Sequence, residues 1–122
     1  MIGTALDVPG KGKIVMIEDI GERGYRVDRM LVQLEQAGYF KGIRALIFGD
    51  FVGGGEEDDS VYLWKEVQRR FANEVNLPVL KGLPCGHTTM QRPMPFKTPS
   101  QLHLGSRPEL TVMTGAKLTG RR

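Results

Sequence analysis

Few residues in this chain combine a reactive side chain with a placement that could use it. Glu18 and Asp19 follow the apolar run Lys13-Ile-Val-Met-Ile17, Asp50 follows Ile43-Arg-Ala-Leu-Ile-Phe48, and His87 follows Leu77-Pro-Val-Leu80 in the loop Gly82-Leu-Pro-Cys-Gly-His87. A carboxylate and an imidazole are the pair needed to take a proton from a nucleophile. The imidazole accepts the proton, and the carboxylate fixes its tautomer and steadies the cation that forms. Gly86 lets the backbone turn tightly just before the ring and present it. Plain alternatives stay open at this level, since acids in turns cap helices or face water and a loop histidine is often a surface residue. Glu22, deeper in the same acidic cluster, is a weaker contender for the acid.

Sharper readings fail. Cys85 and His87 could begin a metal site, but no second Cys or His pair stands at ligand spacing. Cys85 as a thiol nucleophile is less expected than Cys85 as a small buried apolar residue. Gly53-Gly-Gly55 suggests a phosphate loop, yet no Gly-Lys-Ser/Thr follows it, and the acids at 56–59 would repel phosphate. The three serines are Ser60, Ser100 and Ser106, and none stands in a Gly-x-Ser-x-Gly elbow. Ser60 reads as a helix N-cap, and the other two lie in proline-rich loops. His103 sits in an alternating Leu-His-Leu run and is expected to point outward with a structural role. A Glu-and-His site for acyl transfer therefore has no nucleophile in this sequence.

The elements that would position these residues are legible. Residues 13–17 are a short, β-rich apolar run of the kind that forms a strand buried on both faces, residues 43–48 a second buried-type strand, and residues 77–80 a short third strand. Between them, residues 25–37 have helical period, with Val27, Met30, Leu31, Leu34 and Ala37 on one stripe and Gly38 as the left-handed stop. Residues 61–73 repeat the pattern with Leu63, Trp64, Val67 and Phe71 inward. Four prolines from Pro93 to Pro108 exclude a long helix, and residues 101–104 and 110–113 read as an antiparallel pair. The order is strand, helix, strand, helix, strand, hairpin: a mixed α/β domain with two main helices. In such sheets, sites form beyond the carboxyl ends of the strands, where Glu18, Asp50 and His87 stand.

At 122 residues the chain fits one domain, able to bury about two thirds of its unfolded surface without staples. Seventeen basic against fourteen acidic residues, a net +3, are no footprint of nucleic-acid binding. Lys117, Arg121 and Arg122 read as a frayed basic tail over 117–122. No apolar run approaches the ~20 residues of a membrane span, and Met1 to Gly10 lacks the pattern of a signal peptide. A single cysteine fits a reducing compartment. A cytoplasmic location is the expectation.

The stretch Ile14-Val-Met-Ile-Glu18-Asp-Ile-Gly-Glu22, then Tyr25-Arg-Val-Asp-Arg-Met-Leu31 and Ala37-Gly38, resembles the second domain of the LD-carboxypeptidases. This family includes the murein tetrapeptide carboxypeptidases and the microcin C immunity peptidase. Gly49-Asp50-Phe51, Leu77 to Leu80, Gly86-His87 and Gly3-Thr4 match further landmarks in the same order. The resemblance covers roughly residues 3 to 113 and implies a swivelling β/β/α type of domain over 1–116. It aligns Glu18 with the triad acid and His87 with the triad base. It also implies hydrolysis of the amide to a terminal D-alanine in cytoplasmic murein peptides, by serine acylation with no metal or organic cofactor. Homo-oligomers are implied as well. The family's nucleophilic serine and oxyanion amides come from an N-terminal domain that is not in this sequence, so the 122 residues by themselves are expected to be inactive.

Two positions depart from the family pattern: Thr88 stands where glycine is common, and Lys97 falls where a Pro-x-Gly turn would put glycine. A non-catalytic interaction module that keeps only the fold, and a microcin-type immunity hydrolase, are the competing readings.

Overall fold

The computed structural model describes residues 8–52 and 64–113. The loop at 53–55, the Ser60 cap, Leu63, Gly3-Thr4 and the tail at 117–122 lie outside the described residues. The elements are β1 (Ile14–Ile20), α1 (Gly24–Gln36), β2 (Ala45–Val52), α2 (Trp64–Glu74), β3 (Val79–Lys81), β4 (Ser100–His103) and β5 (Glu109–Val112). β1, β2 and β3 form a parallel sheet in that order, and β4 pairs with β5 antiparallel in a second sheet. This is the mixed α/β architecture expected, with its two helices.

Both crossovers, β1-α1-β2 and β2-α2-β3, step the same way across the sheet. Right-handed crossovers then place both helices on one face. The packing agrees: Val27 and Leu31 of α1, Val67 and Phe71 of α2, and Leu46 and Phe48 of β2 share one buried cluster. Phe40 bridges to Phe71 with ring centroids 5.3 Å apart, and Arg70 of α2 pairs with Asp28 of α1. Each fully buried Leu or Phe contributes about 1.5–3 kcal/mol relative to exposure, so β2 and the helix faces carry most of the domain's stability.

α1 ends as Gly38 foretells. Gly38 has φ 72, its N–H donates to Glu35 O, and the Tyr39 N–H donates to Leu34 O, both at 2.9 Å. These are the two bonds of a Schellman stop. The apolar stripe of α1 is narrower than expected. Val27, Leu31 and Leu34 face the core, but Met30 is 40% exposed and Ala37 is exposed. They sit on the flank of that line, where the single layer of sheet beneath the helix no longer reaches.

Two strand readings need correction. Only β2 is buried along most of its length. β1 is half-buried, because it is an outer strand of the described sheet, with a neighbour on one side only. The strands also run further than their apolar cores. Glu18 and Asp19 lie within β1 rather than in a turn after it, and Asp50 lies within β2. Backbone pairing, which is blind to side-chain polarity, carries both strands past the end of the hydrophobic run. Among the described residues no helix is long and apolar enough to cross a membrane.

Candidate active site

The β1–β2 pairing breaks at the acidic residues. Ile17 pairs with Phe48 and the next pair is Asp19 with Phe51, so Gly49 and Asp50 together oppose Glu18. This is a bulge on β2, uncommon in a parallel pair, and such bulges re-aim side chains. Its effect is visible in the core. Phe48 and Phe51 are three residues apart and would face opposite sides of a regular strand, yet both belong to the same buried cluster with centroids 6.0 Å apart.

The loop after β3 lies against this bulge. The Asp50 N–H donates to Cys85 O at 2.9 Å. The Asp50 carboxylate accepts from the Thr88 N–H at 3.3 Å and from Thr88 Oγ1 at 2.8 Å. Thr88 Oγ1 also lies 3.1 Å from Met90 O, but one hydroxyl proton serves one bond, and the shorter bond to a charged acceptor is the stronger.

Two glycines make the approach possible. A Cβ on Gly49 would stand 2.6 Å from Cys85 O, and one on Gly86 would stand 2.8 Å from Asp50 Cβ and 3.3 Å from Glu18 Oε2. Gly86 also has φ 145, outside the range side-chain-bearing residues prefer. Glycine is thus required on both sides of the contact, for space on β2 and for space and backbone in the loop.

His87 is thereby set beside Glu18, with Nε2 3.2 Å from Oε2. The two atoms are at hydrogen-bond distance without hydrogen-bond alignment, and Glu18 Oε2 is buried with no aligned partner among the described residues. Catalytic contacts are often loose in this way before substrate and partner groups are in place. The histidine side chain is 44% exposed, and the glutamate 33%. The pair is therefore open on the imidazole side and covered at the carboxylate oxygen.

Cys85 is adjacent. Burial pushes its thiol pKa up, and the nearby Glu18 and Asp50 carboxylates push it further, which disfavours the thiolate a nucleophile needs. An open cavity of about 460 Å³ lies beside the loop, with Pro84, Cys85, Arg92, Met94 and Leu110 in its wall.

Of the sequence candidates, Glu18, Asp50 and His87 are brought together. Glu22 pairs instead with Arg26 at 3.3 Å, an exposed i,i+4 ion pair on the approach to α1. His103 is exposed and stands opposite Glu109 in the hairpin. Ser100 Oγ donates to Thr98 O at 3.1 Å. No group of three or more His, Cys, Asp or Glu able to hold a metal ion occurs among the described residues. Sequence reasoning passed over Thr88 as a contact and gave Asp50 no specific task. The available signal was a hydroxyl residue directly after the histidine and an acid directly after the strand glycine.

Comparison with known proteins converges on one family. The family model for the LD-carboxypeptidase C-terminal domain matches residues 1–102. The chain is 37% identical over 101 residues to a Rickettsia conorii protein named as a carboxypeptidase, a match covering 83% of this chain and 30% of that protein. It is 30% identical over 98 residues to the murein tetrapeptide carboxypeptidase of Pseudomonas aeruginosa, covering 79% of this chain and 31% of that one. Among solved structures, the muramoyltetrapeptide carboxypeptidase of Oxalobacter formigenes superposes with a TM-score of 0.72 at 33% identity, covering 82% of this chain and 35% of that chain. The chain spans about a third of the length of the curated relatives it matches. It belongs to the LD-carboxypeptidase family, as that family's C-terminal domain.

Proposed function

We propose that this domain supplies the acid and base of a serine-type LD-carboxypeptidase, with Glu18 as the carboxylate and His87 as the proton acceptor. The observation that carries the reading is the 3.2 Å approach of His87 Nε2 to Glu18 Oε2 at a strand bulge. With the carboxylate steadying one side of the ring, the imidazole takes the proton of a serine hydroxyl as that oxygen attacks the amide carbonyl, then returns it to the leaving amine of D-alanine. A water molecule, activated by the same imidazole, releases the acyl group.

The serine and the oxyanion donors belong, on this reading, to a separate N-terminal domain. Ser100 is engaged with its own loop, and the relatives carry most of their length outside the matching region. Residues 1–116 make up the domain, and 117–122 a basic tail. The substrate class is a cytoplasmic murein tetrapeptide released in cell-wall recycling, and the working form is a homo-oligomer. No metal or organic cofactor enters the reaction. Two of the relatives, named for murein tetrapeptide and muramoyltetrapeptide, support the substrate class. The test is D-alanine release from murein tetrapeptide by this chain paired with an LD-carboxypeptidase N-terminal domain, compared with the chain alone. Turnover only in the pair is expected, and turnover by the isolated chain would contradict the division of labour.

A further inference from the structure

The geometry points to Asp50 as a positioning residue that holds His87 in register with Glu18 by bracketing the histidine backbone on both sides. Before the histidine, the Asp50 N–H ties down Cys85 O at 2.9 Å. After it, a single oxygen, Asp50 Oδ2, receives both the N–H and the hydroxyl of Thr88. Three bonds from one residue therefore clamp the four-residue segment that carries the ring. Gly86, between the two clamped points, closes on Asp50 Cβ and Glu18 Oε2.

The clamp stands on the β2 bulge that lies opposite Glu18, so the residue that ties down the histidine loop sits beside the acid in the sheet. Charge-assisted bonds of this kind are stronger than neutral ones, and they act on a loop that is otherwise exposed at His87 and Thr89. Among the described residues Asp50 bonds to Thr88 and Cys85 and makes no hydrogen bond to the His87 ring, so its action is through those two neighbours. This inference rests on the reading of Glu18 and His87 as a working pair.

The test uses the full ¹⁵N-labelled chain and long-range proton–nitrogen spectra of its imidazoles, with His103 as internal control. In the parent protein, Glu18→Gln is expected to shift the His87 ring resonances and leave His103 unmoved. In an Asp50→Ala background that response is lost, because the ring is no longer held against residue 18. In an Asp50→Asn background it is kept, since the amide oxygen can accept both Thr88 protons without the charge. A general loss of stability would lower the melting temperature without abolishing the response in the folded protein.

A response that persists in Asp50→Ala overturns the assignment, and loss in both variants overturns the hydrogen-bond account in favour of the charge. If Asp50→Ala does not fold, Thr88→Val removes the 2.8 Å bond alone; a weakened response supports the clamp and an unchanged one refutes it. Absence of any response to Glu18→Gln in the parent sinks the pair itself, an outcome separate from the failure of Asp50.

Discussion

Gly86→Ala probes the contact between the histidine loop and β2 without any assay of activity. The added Cβ would lie 2.8 Å from Asp50 Cβ, 3.3 Å from Glu18 Oε2 and 3.4 Å from Asp50 N. The first of these atoms is fixed to the central strand and cannot swing aside, so the loop must lift. The backbone adds to this, because φ 145 at Gly86 is a conformation alanine rarely adopts. Strain at such a position costs about 1–3 kcal/mol and overpacking a close contact about 1–3 kcal/mol; relaxing one relieves part of the other, so the combined loss is about 2–4 kcal/mol. With a urea m-value of about 1–3 kcal/mol/M, the midpoint falls by about 1–2 M. Gly82→Ala is the control, because Gly82 has φ 80 but nothing within 4 Å of its added Cβ. It carries the backbone cost of about 1–2 kcal/mol alone. Urea denaturation of the two variants should show Gly86→Ala losing more stability than Gly82→Ala by about 1 kcal/mol or more. Equal losses would refute the argument that the loop is pressed against Asp50 and Glu18.

Two other perturbations read neighbouring features. Lys97 has φ 56 and is the single non-glycine residue with positive φ among those described; Lys97→Gly removes about 1–2 kcal/mol of left-handed strain at some entropic cost, so a net gain of about 0.5–1 kcal/mol is expected in the same denaturation assay. Any loss of stability would contradict it. Cys85, its thiol pushed up by burial and then by Glu18 and Asp50, should react with iodoacetamide more slowly at about pH 8 than the unfolded chain does, and Glu18→Gln should speed the folded protein's labelling. Because the folded value is the higher one, the native state holds its proton longer. The stability this group contributes is complete below the unfolded thiol value and is lost as pH rises through the folded one. Labelling of the native chain as fast as the unfolded one would remove both expectations.

Much of this molecule was legible in its sequence because the strongest local signals agreed with the global packing. The β-rich runs around Val15 and Leu46, the helical stripe of Val27 and Leu31, and the Gly38 stop all appear as elements in the fold. Strand ends were not legible. Glu18 and Asp50 look like turn residues by polarity, but parallel backbone pairing extends through them to Ile20 and Val52. The bulge was invisible for the same reason, since register is a property of two strands and neither one encodes it alone. At the site, strand-end placement and family resemblance pointed to Glu18 and His87. The clamp from Asp50 to Thr88 depends on a loop fold that residue types do not specify. Lys97 illustrates the opposite case: a position where family resemblance expects glycine adopts the backbone glycine would favour, with a lysine in it.

D-alanine release decides whether Glu18 and His87 act as acid and base for a serine on another domain, as proposed above. The measurement joins this chain to an LD-carboxypeptidase N-terminal domain and follows turnover of murein tetrapeptide in the parent, Glu18→Gln and His87→Ala proteins, with folding checked by melting temperature. Turnover is expected in the parent, with a fall of roughly 10⁴-fold in Glu18→Gln, as when the acid of a serine triad is neutralised, and at least as large a fall in His87→Ala. Folded variants that release D-alanine at the parent rate would contradict the proposal, as would D-alanine release by the chain alone that disappears in Cys85→Ala.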